Sequence, residues 1–245
     1  MMSKDICLSP QKKYHLSDDL VRVEVSGRFG LFTVPAFRSE RFSYPVITPT
    51  AAVGLMKAVY WHPGMEYECI KIRVINPIQA TLSFSSNELS SVPSMKQVID
   101  SISGTTSTPP GIDSNETRQQ KSFYLLKNLR YELTIRIVPR ENRNGEPFDL
   151  NKYREILLRR LKKGQFYRTP YLGISECAAC VRLLEPGKKN ASFYDGKALD
   201  LGTMLYEVVY NHDENNDVIN ATPYFFHAVM VDGDIILPTR EDVIK

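Results

Sequence analysis

The stretch that most restricts how this chain can fold is Tyr44–Trp61, YPVITPTAAVGLMKAVYW. Thr48 is a helix-capping residue, and Pro49 follows at the first helical position, where its missing N–H would be unpaired anyway. Ala51, Leu55, Met56 and Val59 then recur at helical spacing, and His62-Pro63-Gly64 stops the run. The pattern predicts one short amphipathic helix that leaves through Tyr60 and Trp61. Strand-like sequence lies on both sides of it.

Upstream, Leu20–Gly27 (LVRVEVSG) alternates apolar and polar residues, the period of a half-buried strand. Residues 28–43 form a connection in which Arg28, Phe29, Phe32, Phe37, Arg38, Arg41 and Phe42 interleave. Exposed aromatics stack on bases while arginines hold phosphate; each phenylalanine taken alone reads first as a loop anchor in the core. Downstream, Tyr67–Ile78 reads as a second strand and Ser122–Val138 (SFYLLKNLRYELTIRIV) as the strongest one, long enough to bend or to leave the sheet. Residues 85–116 are rich in Ser, Thr, Pro and Gly and read as a long mobile insertion.

A second helix is expected over Leu150–Lys163, capped by Asp149 and ended by Gly164. Its apolar stripe is Leu150, Tyr153, Ile156, Leu157 and Leu161; Lys152, Arg159, Lys162 and Lys163 load the other face. Cations near a helix C-terminus suit its dipole, but Lys152 lies in the first turn, where a cation is mildly disfavoured, and that placement hints at function. The glycine- and aromatic-rich Gly164–Ile174 would let backbone amides approach a phosphate. Ser175–Leu184 is expected as the last core strand; LYEVVY and YFFHAVMVDGDIILP follow as strands, with a hairpin turn at Asp232-Gly233. The alternation of elements predicts an α+β chain: a ferredoxin-like (RRM-like) β-α-β-β-α-β domain over 20–190, after a loose lead-in over 1–19, and a small antiparallel β-sheet domain over 191–245.

The net charge of +3 hides an asymmetry. Residues 191–245 carry three basic and ten acidic side chains, net −7, which leaves +10 for residues 1–190. A basic body suggests a polyanionic partner, although two ordinary solvated surfaces would read the same way. No apolar run approaches the ~18 residues that span a bilayer. Cys7, Cys69, Cys177 and Cys180 are too scattered for a disulfide framework, and a reducing cytoplasm is the expected setting.

No metal-site spacing is convincing, because Cys177-Ala-Ala-Cys180 lacks a second ligand pair; no metal and no cofactor are expected. The chemistry left is Tyr60, Lys152 and Tyr153. In the expected fold both helices pack on one face of the sheet, so the end of the first meets the start of the second. Tyrosine can pass a proton and lysine can neutralise a developing phosphorane. From spacing alone the same residues read as two core tyrosines and a surface lysine. Candidate RNA contacts are Arg38, Arg41 and Tyr44 before the first helix and Lys127 and Arg130 on the long strand. Arg159 and Lys162 on the second helix and Arg168 after it complete the set.

Three segments carry a family resemblance: VRVEVSGRFGLFTVPAFRSERFSYPVITPTAAVGLMKAVYW, LLRRLKKGQFYRTPYLGISE and FYDGKALDLGTMLYEVVY. Together they resemble the fifth CRISPR-associated subunit of the Dvulg, or type I-C, kind, within the repeat-associated RNA-binding superfamily. The resemblance implies a ferredoxin-like domain with a small C-terminal sheet. It also implies an endoribonuclease that cuts CRISPR repeat RNA without metal, leaving a 5′-hydroxyl and a 2′,3′-cyclic phosphate. Such a subunit stays on the crRNA 5′ handle beside the other subunits of an interference complex. The family's site is similar to a Tyr, Lys, His trio, whose tyrosine and lysine fall on Tyr60 and Lys152. The histidine position falls on Tyr153, a departure that exchanges a group titrating near ~6.5 for one near ~10. Two other readings remain open: a non-catalytic subunit that caps the guide RNA's 5′ end, and a general duplex-DNA binder.

Overall fold

A computed structural model describes residues 19–37, 41–89, 92–140, 147–185, 187–212 and 218–244. The lead-in expected over 1–19, apart from Asp19, lies outside the described residues. The alternation in LVRVEVSG buries Val21, Val23 and Val25, and the strand continues to Gly30 as β1 (Leu20–Gly30). After the short β2 (Arg41–Phe42), α1 (Pro49–Val59) begins where expected. The Thr48 hydroxyl accepts the Ala51 N–H, and Ala52, Leu55, Met56 and Val59 turn into the core. Leu55, Met56 and Val59 each contribute roughly 1.5–3 kcal/mol by leaving water.

The strands β3 (Met65–Val74) and β4 (Ala80–Leu89) precede the longest strand, β5 (Arg118–Pro139). β5 has two jobs along its length. Its first part pairs with β4 and, in parallel, with β2; its second part lies between β1 and β3. Asn128, in the left-handed region at φ 58°, falls between the β4-paired and β3-paired parts. Asparagine tolerates that conformation better than most residues.

Residues 85–116, expected as an insertion without elements of its own, contain the end of β4, a helix α2 (Met95–Ile102) and a single turn α3 (Ser114–Thr117). A serine-rich composition reads as loop, yet Ser94 starts α2. Its hydroxyl accepts the Gln97 N–H at 3.2 Å while the Gln97 side chain accepts the Ser94 N–H at 2.9 Å.

The second expected helix is α4 (Leu150–Lys163), with Asp149 accepting the Lys152 N–H and Gly164 at φ 64° ending it. The last core strand is much shorter than Ser175–Leu184: only β6 (Cys180–Leu183) is strand. The residues before it fold into tight turns, Leu172 N–H donating to the Cys177 carbonyl and Cys177 N–H to that of Ile174. The C-terminal strands are β7 (Ala198–His212), β8 (Val218–Val231) and β9 (Asp234–Ile236). β8 and β9 join through Asp232-Gly233, both at positive φ as a two-residue hairpin needs.

Among the described residues the sheet order is β6-β1-β5-β3-β9-β8-β7, every neighbour antiparallel. The chain is therefore α+β, as expected, and its C-terminal strands continue the main sheet through the β9–β3 pairing. α1 packs on β3 and β7, α4 packs on β5 and β6, and the two helices touch. No described helix is long and apolar enough to cross a membrane.

The junction of β3 with the C-terminal strands is closed by Arg73, whose side chain is 2% exposed. Its guanidinium donates to Asp195 at 2.6 Å, to Asp234 at 2.8 Å and to the carbonyls of Asp232 and Asn190 at 2.8 and 3.1 Å. Arg73→Leu removes all four bonds and leaves two carboxylates facing an apolar side chain. We expect a loss of about 3 kcal/mol, the scale for breaking one side of a buried ion pair, measured by denaturant unfolding. A change under about 1 kcal/mol would show that the junction is held otherwise.

Candidate active site

An α-helix leaves its last carbonyls without intrahelical partners. At the end of α1, Arg160 from α4 supplies one partner, donating to the Val59 carbonyl at 2.9 Å. Its guanidinium lies 5.1 Å from the centre of the Tyr60 ring. The Tyr67 hydroxyl, from β3, donates to the Tyr60 carbonyl at 2.9 Å. Tyr60 itself is only 7% exposed. Burial holds its phenol above the usual tyrosine range, nearby Tyr153 acts in the same direction, and Arg160 opposes them.

Two residues on, the chain turns at His62-Pro63-Gly64. The Gly64 N–H donates to His62 Nδ1 at 3.1 Å, and the half-buried imidazole lies 4.8 Å from the Tyr153 ring. Phe148 contacts the same tyrosine at 5.7 Å. The end of α1 and the first turn of α4 are thus brought together through the His62–Tyr153 contact, with Lys152 exposed beside it.

Tyr153 is 2% exposed, enclosed by two aromatic rings. It reaches a bound strand only through its neighbours, not directly. The sequence places Tyr60, Lys152 and Tyr153 but does not single out Arg160 or Tyr67, and it reads His62 only as part of the stop after the first helix. A histidine two residues past the helix, before a Pro-Gly turn, was the available signal.

The candidate RNA contacts fall into several settings. Arg38 lies outside the described residues. Arg41 is half-buried with its guanidinium 4.8 Å from the Phe123 ring centre. Tyr44, expected on the RNA-facing connection, is instead a core residue: it is 7% exposed, its N–H bonds the Phe32 carbonyl, and burial raises its phenol. The segment between β2 and α1 is buried at Ser43, Tyr44, Val46 and Ile47, which takes Tyr44 inward. Lys127, Arg159 and Lys162 are exposed. Arg130 pairs with Glu24 at 3.0 Å and, with Arg28, lines an open depression of about 610 Å³.

Arg168 is exposed, 5.6 Å from the Tyr171 ring centre. The glycine-rich segment around it does not offer all its amides to a phosphate. Those of Tyr167 and Arg168 both donate to the Ala58 carbonyl of α1, at 2.8 and 3.1 Å.

Comparison with known proteins bears on this arrangement. The family description "CRISPR-associated protein (Cas_Cas5)", for the Cas5d group, matches residues 20–238. The chain belongs to the Cas5d family. A Cas5d relative from Thermus thermophilus, named a CRISPR pre-crRNA endoribonuclease, is 31% identical over 234 residues, covering 90% of this chain and 92% of its own length. A relative of the same name from Mannheimia succiniciproducens is 29% identical over 221 residues, covering 89% and 94%. Among solved structures, a CRISPR-associated protein aligns with a TM-score of 0.64 at 24% identity, over 92% of this chain and 96% of its own. A Streptococcus mutans protein, SMU1763c, aligns at 0.62 and 22%, over 92% and 97%. These two likenesses are of fold.

In this Cas5d chain the glycine-rich segment is locked at Gly173, at φ 84°, where an added methyl group would overlap the Leu31 carbonyl. Gly173→Ala is expected to detach the segment from β1, lowering the melting temperature by several degrees and exposing the 165–173 backbone to hydrogen exchange. Unchanged exchange there would refute the account.

Buried phenols also set an alkaline limit. Tyr60, Tyr67 and Tyr131 are all held above the ordinary value by burial. Their unfolded forms lose protons near ~10. The unfolded state therefore binds fewer protons above that pH, and stability must fall as pH rises beyond it. Absorbance of ionised tyrosine is expected to rise in two stages, with the late stage coincident with loss of circular dichroism.

Proposed function

We propose that this chain is an endoribonuclease of CRISPR repeat RNA that remains on the 5′ handle of its product within a type I-C interference complex. The observation that carries the reading is the meeting of the α1 terminus with the first turn of α4, beside the exposed Lys152, in a Cas5d chain. The names of its two relatives support processing of pre-crRNA. The order β6-β1-β5-β3, with α1 and α4 as the crossovers, supports a ferredoxin-like core over 20–190 followed by a smaller β domain over 191–245. A cytoplasmic setting fits this reading.

The reaction needs no external nucleophile. The ribose 2′ oxygen attacks the adjacent phosphorus, the O2′–P bond forms and the P–O5′ bond breaks. The 2′ hydroxyl gives up its proton and the 5′ oxygen gains one, leaving a 2′,3′-cyclic phosphate and a 5′-hydroxyl, with no metal ion taking part. Lys152 stabilises the charge that builds on the phosphate. Tyr60, kept protonated by burial, serves as a hydrogen-bond donor rather than a base. Tyr153 holds the junction. Lys127, Arg159, Lys162 and Arg168 grip the RNA backbone.

Incubation with the cognate repeat RNA in EDTA is expected to give one cut, abolished by a 2′-deoxy sugar at the cleavage site. Lys152→Ala is expected to slow the cut about 100-fold while changing RNA affinity less than about threefold. The burial of Tyr60 and Tyr153 favours a second reading, a handle-binding subunit without chemistry. Tight binding of intact repeat RNA, unaffected by Lys152→Ala, would establish that instead. Duplex DNA competing equally at physiological salt would mark a general binder.

A further inference from the structure

This inference rests on the endoribonuclease reading and adds a residue to its site. His62 sits on the short loop leaving α1, held on two sides. Its Nδ1 accepts the Gly64 N–H at 3.1 Å, and its ring lies 4.8 Å from that of Tyr153. Its own carbonyl accepts the Met65 N–H at 3.2 Å, which fixes the loop onto β3. With Nδ1 acting as an acceptor, the neutral imidazole must carry its proton on Nε2. Among the described residues that Nε2–H has no hydrogen-bond partner. The adjoining Trp61 is 49% exposed, and Lys152 is exposed next to Tyr153. Trp61 thus adjoins this held N–H donor in the chain, and Lys152 adjoins its ring partner Tyr153; an aromatic platform and an ammonium group are the components that hold a base and the phosphate beside it.

We propose that His62 donates its Nε2–H to a non-bridging oxygen of the scissile phosphate and is a catalytic residue of this site. It is a preset donor rather than a proton carrier. The Gly64 amide and the Tyr153 ring hold the imidazole in place, so it needs no rearrangement as charge builds on the phosphate. The contact with Tyr153 gives that buried ring a purpose: it sets the tilt of the imidazole from below.

The test uses the full chain, its repeat RNA and two RNA versions with sulfur replacing either non-bridging oxygen at the cut. His62→Phe keeps an aromatic contact with Tyr153 but has no N–H; His62→Gln keeps a donor. Single-turnover cleavage by His62→Phe is expected to fall about 100-fold with RNA affinity and melting temperature near wild type, and His62→Gln to recover at least tenfold. Sulfur at one oxygen is expected to slow the wild type several-fold and to add no penalty in His62→Phe, a coupling that a purely structural role would not produce. If His62→Phe fails to fold, His62→Ala is read the same way. A wild-type rate in the variant, or an equal sulfur penalty in both proteins, overturns this role while leaving the endoribonuclease reading intact. A wild type that leaves the repeat whole overturns both.

Discussion

The buried guanidinium of Arg73 is the interaction on which the arrangement of this chain turns. A charge taken out of water is costly unless nearly all its donors are met, and here Asp195, Asp234 and two carbonyls meet them. Those partners come from the loop after Asn190 and from both sides of the β8–β9 turn. The chain from Asn190 onward is therefore tied to β3 by this side chain as well as by the β9–β3 ladder, and β3 is the strand against which α1 packs. A second network lies alongside. Glu132, 4% exposed, accepts from Arg22 and from the Asn190 N–H, while Glu24 accepts from Arg130 and from the Asn190 side chain. Asn190, where the charge of the sequence changes sign, is thus the seam between basic body and acidic tail.

That seam alters the meaning of the charge asymmetry. Part of the excess acid beyond residue 190 is paired within the chain: Asp195, half exposed, and Asp234 neutralise Arg73, and Asp234 also pairs with Lys71 at 3.3 Å. Hydrogen bonds from the Ser192 amide and from Arg73 hold the Asp195 carboxyl below its usual range. Within the body, Arg22 and Arg130 are likewise paired with carboxylates. The field that a polyanion meets is set by what is left on the surface, chiefly the exposed face of α4 and the lysine at 127, and not by the sum over each half.

The parts of the fold legible in the sequence are those governed by local rules. Thr48-Pro49 and Asp149 start their helices, Gly164 ends one, and Asp232-Gly233 turns a hairpin, because each rule acts within four residues. α2 was hidden because the serine that caps it looks like the loop around it. β6 was overextended because strand-like residues there are claimed by turns against Tyr171 and Ile174. At the site, the positions of Tyr60 and Lys152 followed from helix ends, whereas their surroundings did not. Arg160 reaches the Val59 carbonyl across 101 residues of sequence, and no periodicity foretells such a contact. Tyr44 misled for a related reason: an aromatic in a basic connection looks exposed until the path of the chain takes it inward.

Burial divides the candidate site into a frame and a face. Tyr60, Tyr67 and Tyr153 are enclosed, with the Tyr67 hydroxyl bonded to the Tyr60 carbonyl and Arg160 laid across the Tyr60 ring. Such a frame loses little freedom when a ligand arrives, since its rotamers are fixed before binding. Lys152 and Trp61, by contrast, are exposed and must be ordered by whatever they touch. His62 stands between the two groups, its ring face on the frame and its Nδ1 held by the turn. On the proposed reading, the reacting groups belong to one helix–helix junction, and affinity rests on the exposed cations around it. Under that reading, loss of a surface cation weakens grip without moving the junction, whereas repacking Tyr153 shifts the junction without touching the RNA. The two properties are separable because the contacts that fix them share no side chain except His62.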